Sequence, residues 1–392
     1  MAFLLSVRSI VRCRDGIAQS DRPDADGEHL EGDAMNAETT RIFVGAGAAP
    51  SRNGTACVAG LFRRTVGDGA WEALDNGLPA GAEVHAILAR PDDPDVIFAG
   101  TADGPYRSTD GGDHWHKLDF PEPNVMIWSL TTHPTRPNVM YAGAAPIALY
   151  RSLDGGDTWH RLRSAISPAH CERAGFDSRV LRITVDPNRP DDVYAALEVS
   201  GVIRSADGGE TWSDMSAPLI QFAGQPRYQS NVGGRHCGLC EGMLDSHATA
   251  ISPAASGTVF LGLRMGLFRS DDRGTTWHDT EIGRFSPLTY CHDVVVSTHD
   301  PHVLYTCLSP AAFSTDGSLY RSHDLGATWR RIDHGVKAES TLMAVSEHPS
   351  DPARLCCVTR GGQVFGSENG GESWREYRLP DGVEDVYAVA CA

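Results

Sequence analysis

Short apolar runs recur along the chain, each closed by a cluster of Gly, Asp or Pro. Within one stretch they read Val84-His-Ala-Ile-Leu88, Val96-Ile-Phe-Ala-Gly100, Pro105-Tyr-Arg-Ser108 and Trp115-His-Lys-Leu118. Runs this short, bounded by turn residues, predict β-strands. The same four-segment order returns six times. The first unit lacks its first segment, because Thr40-Arg-Ile-Phe-Val-Gly45 already matches the second one. The missing segment stands at the other end of the chain, as Asp385-Val-Tyr-Ala-Val-Ala390.

The third and fourth segments are joined by a fixed motif, Arg-Ser-x-Asp-x-Gly-x-x-Trp. It runs from Ser108 to Trp115, Ser152 to Trp159, Ser205 to Trp212, Ser270 to Trp277 and Ser322 to Trp329. A sixth copy, Ser367 to Trp374, has Asn369 for Asp, and a seventh keeps only Gly60-Leu-Phe62 before and Trp71 after. Ser and Asp side chains satisfy turn amides that no ladder reaches. Gly allows the left-handed backbone, and Trp buries a large ring. From Trp71 through Trp115, Trp159, Trp212, Trp277 and Trp329 to Trp374 the spacing is 44 to 65 residues. That period predicts an all-β fold, a single seven-bladed β-propeller of four-stranded blades over residues 39–392. The C-terminal strand completes the N-terminal blade and removes the open edge.

The motif resembles the Asp-box, or BNR, repeat found in sialidases, xyloglucanases, sortilin-type receptors and photosystem II assembly-factor propellers. The resemblance covers nearly all of residues 40–392. It implies that the box is a structural turn, not a catalytic one. Sialidases also carry an arginine triad and a Phe/Tyr-Arg-Ile-Pro segment on six blades. No such segment occurs here, so the resemblance does not extend to the sialidase site.

A net charge of −17 argues against nucleic acid or an anionic membrane surface as a partner. The 41 glycines and 23 prolines suit a turn-dense β chain. Ten cysteines are scattered, with Cys307, Cys356 and Cys357 inside predicted strands. That spacing predicts buried free thiols and a cytoplasmic protein rather than a disulfide framework. Residues 1–38 carry Arg within an apolar run, followed by an acidic polar stretch. They read as a disordered extension with no clean leader peptide, and Met35 is a second candidate start.

In a propeller the innermost strands line a central channel. They enter it from the face that carries the loops between blades and the loops between second and third strands. The boxes lie on the opposite face. Counting back six residues from Pro91, Pro134, Pro187, Pro253, Pro349 and the equivalent Thr298 gives one channel position per blade. With the C-terminal strand the ring reads Tyr387, His85, Trp128, Leu181 or Arg182, His247, His292 and Met343. Three imidazoles at one level predict a site for a divalent transition metal (Zn, Cu or Fe), with His85, His247, His292 and His236 as ligands. Trp128, Tyr387, Arg182 and Met343 are the candidate substrate contacts.

The long connection from Ala217 to Leu244 adds His236, Cys237, Cys240 and Glu241, and the one before the fourth blade adds His170, Cys171 and Glu172. Loops this long are usually functional. The loop Leu308 to Thr315 rises on the same face. Asp293, Glu241 and Asp245 are the candidate general bases or ligand-orienting groups. The expectation is a metal-dependent enzyme acting on a small molecule. The alternatives are a glycoside hydrolase using two carboxylates on this face, and a non-catalytic binding or assembly propeller.

Overall fold

The computed structural model describes residues 40–50, 54–67, 69–163, 177–228 and 243–392, with backbone alone at 231–232 and 235–236. Seven four-stranded antiparallel sheets make the seven blades. In the first, Glu72–Ala73, Gly60–Thr65 and Arg41–Ala46 are followed inward by the C-terminal strand Val386–Cys391. Phe43 pairs with Ala390 and Val44 with Val389, so the ring closes by hydrogen bonds between the two ends of the described chain. No helix among the described residues is long and apolar enough to cross a membrane.

The boxes close as their composition predicts. In the third blade Gly156 N–H donates to Ser152 Oγ at 2.8 Å, and Ser152 Oγ donates to Asp154 Oδ1 at 2.7 Å. Thr158 bonds the same carboxylate through its amide and hydroxyl at 2.9 and 2.6 Å. Those bonds, the hydroxyl's first, hold Asp154 down to about 2. Asn369 keeps the pattern through Ser373. The Arg at the end of the third strand links blades in five of the seven; Arg204 bonds Asp192 of its own blade instead. Arg63, Arg107, Arg151, Arg269 and Arg321 each reach the box turn of the following blade, as in Arg151 to Gly208 O at 2.8 Å.

Apolar clusters fill the spaces between adjacent blades, one example joining Val139, Tyr141 and Leu149 to Val180, Ile183 and Trp212. Glycine in the second strand permits the close approach. A Cβ on Gly100 would sit 2.8 Å from Ile127 Cγ2 of the next blade. The described cysteines are free, and Cys291, Cys307, Cys356, Cys357 and Cys391 are buried.

All seven innermost strands carry a β-bulge at the same level. The skipped residues are Tyr387, His85, Trp128, Leu181, His247, His292 and Met343. Each is the residue that the sequence count places on the ring. A bulge re-aims a side chain and bends its strand. In the fourth blade the bulged residue is Leu181; Arg182 pairs normally with Ala196. The inner strands thus turn one side chain per blade out of alternation.

Candidate active site

The three histidines of the ring divide into two groups. His85 stacks on Trp128 with centroids 4.0 Å apart, and Tyr387 meets both rings edge-on at 5.3 and 5.0 Å. The Arg179 guanidinium lies 4.1 Å from the Trp128 ring. Trp128 is only 6% exposed, so its faces are covered by protein and not offered to a substrate. His247 and His292 form the second group, 4.5 Å apart, with Tyr290 beside them. Among the described residues no three His, Cys, Asp or Glu side chains converge as metal ligands. The His85, His247 and His292 ligand set expected from the ring register is therefore not assembled, because His85 is held against Trp128. His236, Glu241, Cys237, Cys240, His170, Cys171 and Glu172 lie outside the residues whose side chains are described, as does the extension at 1–38.

Arg182 and Asp293, expected as a substrate contact and a base, pair with each other. Arg182 donates to Asp293 Oδ1 at 2.6 Å, and Val345 N–H donates to Oδ2 at 3.2 Å. Both oxygens of Asp293 are engaged in joining blades, and the residue is 1% exposed. Met343 packs against the apolar cluster between the last blade and the first.

Asp245 stands two residues before the bulge of its strand, where the strand enters the channel. Tyr290 donates to its Oδ2 at 2.8 Å, His247 Nε2 lies 3.3 Å from the same oxygen, and Val199 N–H donates to Oδ1 at 3.4 Å. Burial alone would push this carboxyl up. The charge on His247 and the bonds from His247 and Tyr290 outweigh it and hold Asp245 well below the usual carboxylate range. The reciprocal effect raises His247 against its own burial. His292, buried beside that charge, is held well below its ordinary value and stays neutral.

Glu198 faces this group from the turn after the second strand of the fourth blade. Burial, then the Asp245 charge, push its carboxyl up to about 7. Arg179 Nε stands 2.9 Å from Glu198 Oε2 as an ion pair too bent for a hydrogen bond, and does not reverse the shift. The next residue, Val199, has φ 53°, a left-handed backbone that a β-branched residue rarely adopts. That backbone aims the Val199 amide at Asp245. Strain of this kind concentrates at functional sites.

Glu198 has counterparts. Arg264 and Arg360 follow the second strands of the fifth and seventh blades, and their amides bond Asp245 O and Thr341 O as the Glu198 amide bonds Arg179 O. Opposite them, two residues before the bulge, stand Asp385, Glu83, Arg179, Asp245 and Tyr290 in five blades, with Met126 and Thr341 in the third and seventh. Together they form a charged collar above the bulge ring. Aligning the ends of the second strands, as the first strands were aligned, exposes Glu198, Arg264 and Arg360 in the sequence alone.

No family model matches the chain. It is 28% identical over 200 residues to a xyloglucanase of Acetivibrio thermocellus, covering 42% of this chain and 22% of that protein. The chain is thus aligned with less than a quarter of that relative's length. Among solved structures, a GH74 xyloglucanase from Xanthomonas campestris superposes with a TM-score of 0.58 at 19% identity, over 80% of this chain and 47% of that one. YCF48 from Cyanidioschyzon merolae superposes at 0.50 and 15% identity, over 76% and 85%. These likenesses establish the propeller fold.

Proposed function

We propose that this chain, a propeller of Asp-box type, is a glycoside hydrolase acting on a glycan at the collar of its channel, with Glu198 and Asp245 as its two carboxylates. The observation that carries the reading is the meeting of the two carboxyls at the collar, where the Val199 amide of the Glu198 turn donates to Asp245 Oδ1. Their surroundings drive them in opposite directions. Glu198 is pushed up to about 7 while Asp245 is held well below the usual range. Two neighbouring carboxyls driven apart by their surroundings mark an acid and its ionised partner. Glycoside hydrolysis needs that division of labour. Protonated Glu198 gives its proton to the glycosidic oxygen as the bond to the anomeric carbon breaks. Ionised Asp245, buried and engaged at both oxygens, steadies the positive charge that develops at that carbon while water adds to it and returns a proton to Glu198. Tyr290 and His247 orient Asp245 and keep it charged. The sequence similarity to xyloglucanases supports a β-glucan of that kind as the first substrate to try.

The test is release of reducing ends from xyloglucan and unbranched β-glucans by the full chain and by Glu198→Gln and Asp245→Asn. Each variant is expected to lose about 10²–10⁴-fold in kcat/KM while folding normally, the range for removing a positioned proton-transfer group. Hydrolysis that survives both substitutions, or no hydrolysis of any glycan by the unaltered chain, overturns the assignment.

A further inference from the structure

On the same face, a pocket of about 220 Å³ opens where the sixth, seventh and first blades meet. That volume falls below the roughly 300–1,000 Å³ of sites for drug-sized ligands, and suits one sugar ring. Its wall is Phe313, which is 56% exposed although it is a large apolar side chain. Its floor is Arg360, whose guanidinium lies 4.1 Å from the Phe313 ring centroid.

The pocket is held in shape before any ligand arrives. Thr341, fully buried, donates to Ala311 O or Ala312 O and accepts from Ser314 N–H at 3.0 Å, which pins the Phe313 loop to the next blade. Arg360 donates to Asp385 Oδ1 at 2.8 Å. Asp385 Oδ2 accepts from Tyr387 at 2.9 Å and from Ala49 N–H at 3.1 Å. Asp385 itself has φ 59°, so a strained residue ties this pocket to Tyr387 on the bulge ring. A wall fixed in this way loses little freedom on binding.

Charge selects the ligand. Asp385 neutralises Arg360, and Arg378 is shared between Glu339 at 2.6 Å and Glu376 at 3.0 Å. Glu384 remains, exposed and without an ion-pair partner among the described residues. An acidic ligand is repelled by that carboxylate. A small cation can pair with Glu384 but leaves the exposed Phe313 ring without an apolar partner. What fits is a neutral ring with an apolar face for Phe313 and hydroxyls for Glu384.

We propose that this pocket is a separate subsite for one neutral sugar residue of the glycan, stacked on Phe313 and hydrogen-bonded by Glu384. The choice of ligand rests on the glycan reading above. Calorimetry on the full-length Glu198→Gln chain tests it, with cellotetraose as the neutral probe and an oligogalacturonate of equal length as the acidic one. Phe313→Ala and Glu384→Gln are each added to that background. Cellotetraose is expected to bind, each addition to raise Kd by about fivefold or more, and the acidic probe to bind less tightly than the neutral one. A smaller change from Phe313→Ala, equal binding of the acidic probe, or no binding of cellotetraose overturns the subsite. Hydrolysis with binding insensitive to Phe313 removes the subsite alone. Phe313-sensitive binding in a chain that hydrolyses nothing removes the catalytic reading alone.

Discussion

Arg182 of the fourth blade and Asp293 of the sixth meet at 2.6 Å, with the fifth blade between them. The pair spans blades that are not neighbours, and Val345 N–H extends the link to the seventh. Asp293 is buried, and burial pushes its carboxyl up against the pull of Arg182. Replacing Arg182 with Met leaves that group without its counter-charge. Urea unfolding is expected to show a loss of about 3 kcal/mol, the low end for a broken buried pair because the guanidinium is itself partly in water. Asp293→Asn retains an acceptor for Val345 and is expected to cost less. Equal losses from the two variants would place the stabilisation in packing instead of charge.

The divergence of Glu198 and Asp245 has a pH signature. Glu198 works while protonated, so kcat/KM on any hydrolysed glycan is expected to fall as pH rises through about 7. Asp245 remains ionised far into the acid range, so no acid limb is expected near its ordinary value. Stability follows the same group. The folded state keeps the Glu198 proton up to about 7, whereas the unfolded chain releases it near 4.5. The contribution is therefore full below the unfolded value and is lost as pH rises between the two. Glu198→Gln removes that loss, and at pH 8 its unfolding free energy is expected to exceed the parent's by on the order of 2 kcal/mol, with a correspondingly higher midpoint. A midpoint difference that does not change between pH 4 and 8 would contradict the shifted carboxyl.

Val199 carries a left-handed backbone at φ 53° beside the acid. Glycine adopts that conformation without the Cβ clash but gives the unfolded chain more freedom. Val199 is also buried, at 7% exposure, so Val199→Gly relieves the clash but gives up the packing of the valyl side chain. A loss of about 1–2 kcal/mol is expected by thermal unfolding, with the amide still directed at Asp245. A gain in stability would show that the strain outweighs the packing.

The boxes lie on the face away from the collar. Ser152→Ala strands the buried Gly156 amide and one oxygen of Asp154. A loss of about 1–3 kcal/mol is expected, with kcat/KM unchanged. A change in catalysis at constant fold would give the box a role beyond its turn.

The fold was readable because the repeat is a register as well as a composition. Trp spacing sets the blade count, and the early second strand at Thr40 calls for a closing strand from the C-terminus. The ring positions were readable too, apart from the choice between Leu181 and Arg182. A one-residue bulge decides that choice, and alternation alone cannot place it. The chemistry was less legible. His85, His247 and His292 share a level but not a centre, since each pairs with a ring on a neighbouring blade, His85 with Trp128 and His247 with His292. Trp128 looked like a binding aromatic, yet His85 and Arg179 cover it. Glu198 shows only when the ends of the second strands are aligned, since the register of the first strands does not pass through it. Its meaning comes from burial and from Asp245, which is distant in sequence.

The sevenfold bulge has a consequence for change in this molecule. Each bulge resets the inward-outward phase of its strand, so side chains above it are decoupled from the apolar contacts below. The collar is then a layer wired across blades, as from Tyr290 to Asp245 and from Arg360 to Asp385, on a hub packed by other side chains. Its members can be exchanged as bonded pairs, altering what the face accepts while the packing between blades goes untouched.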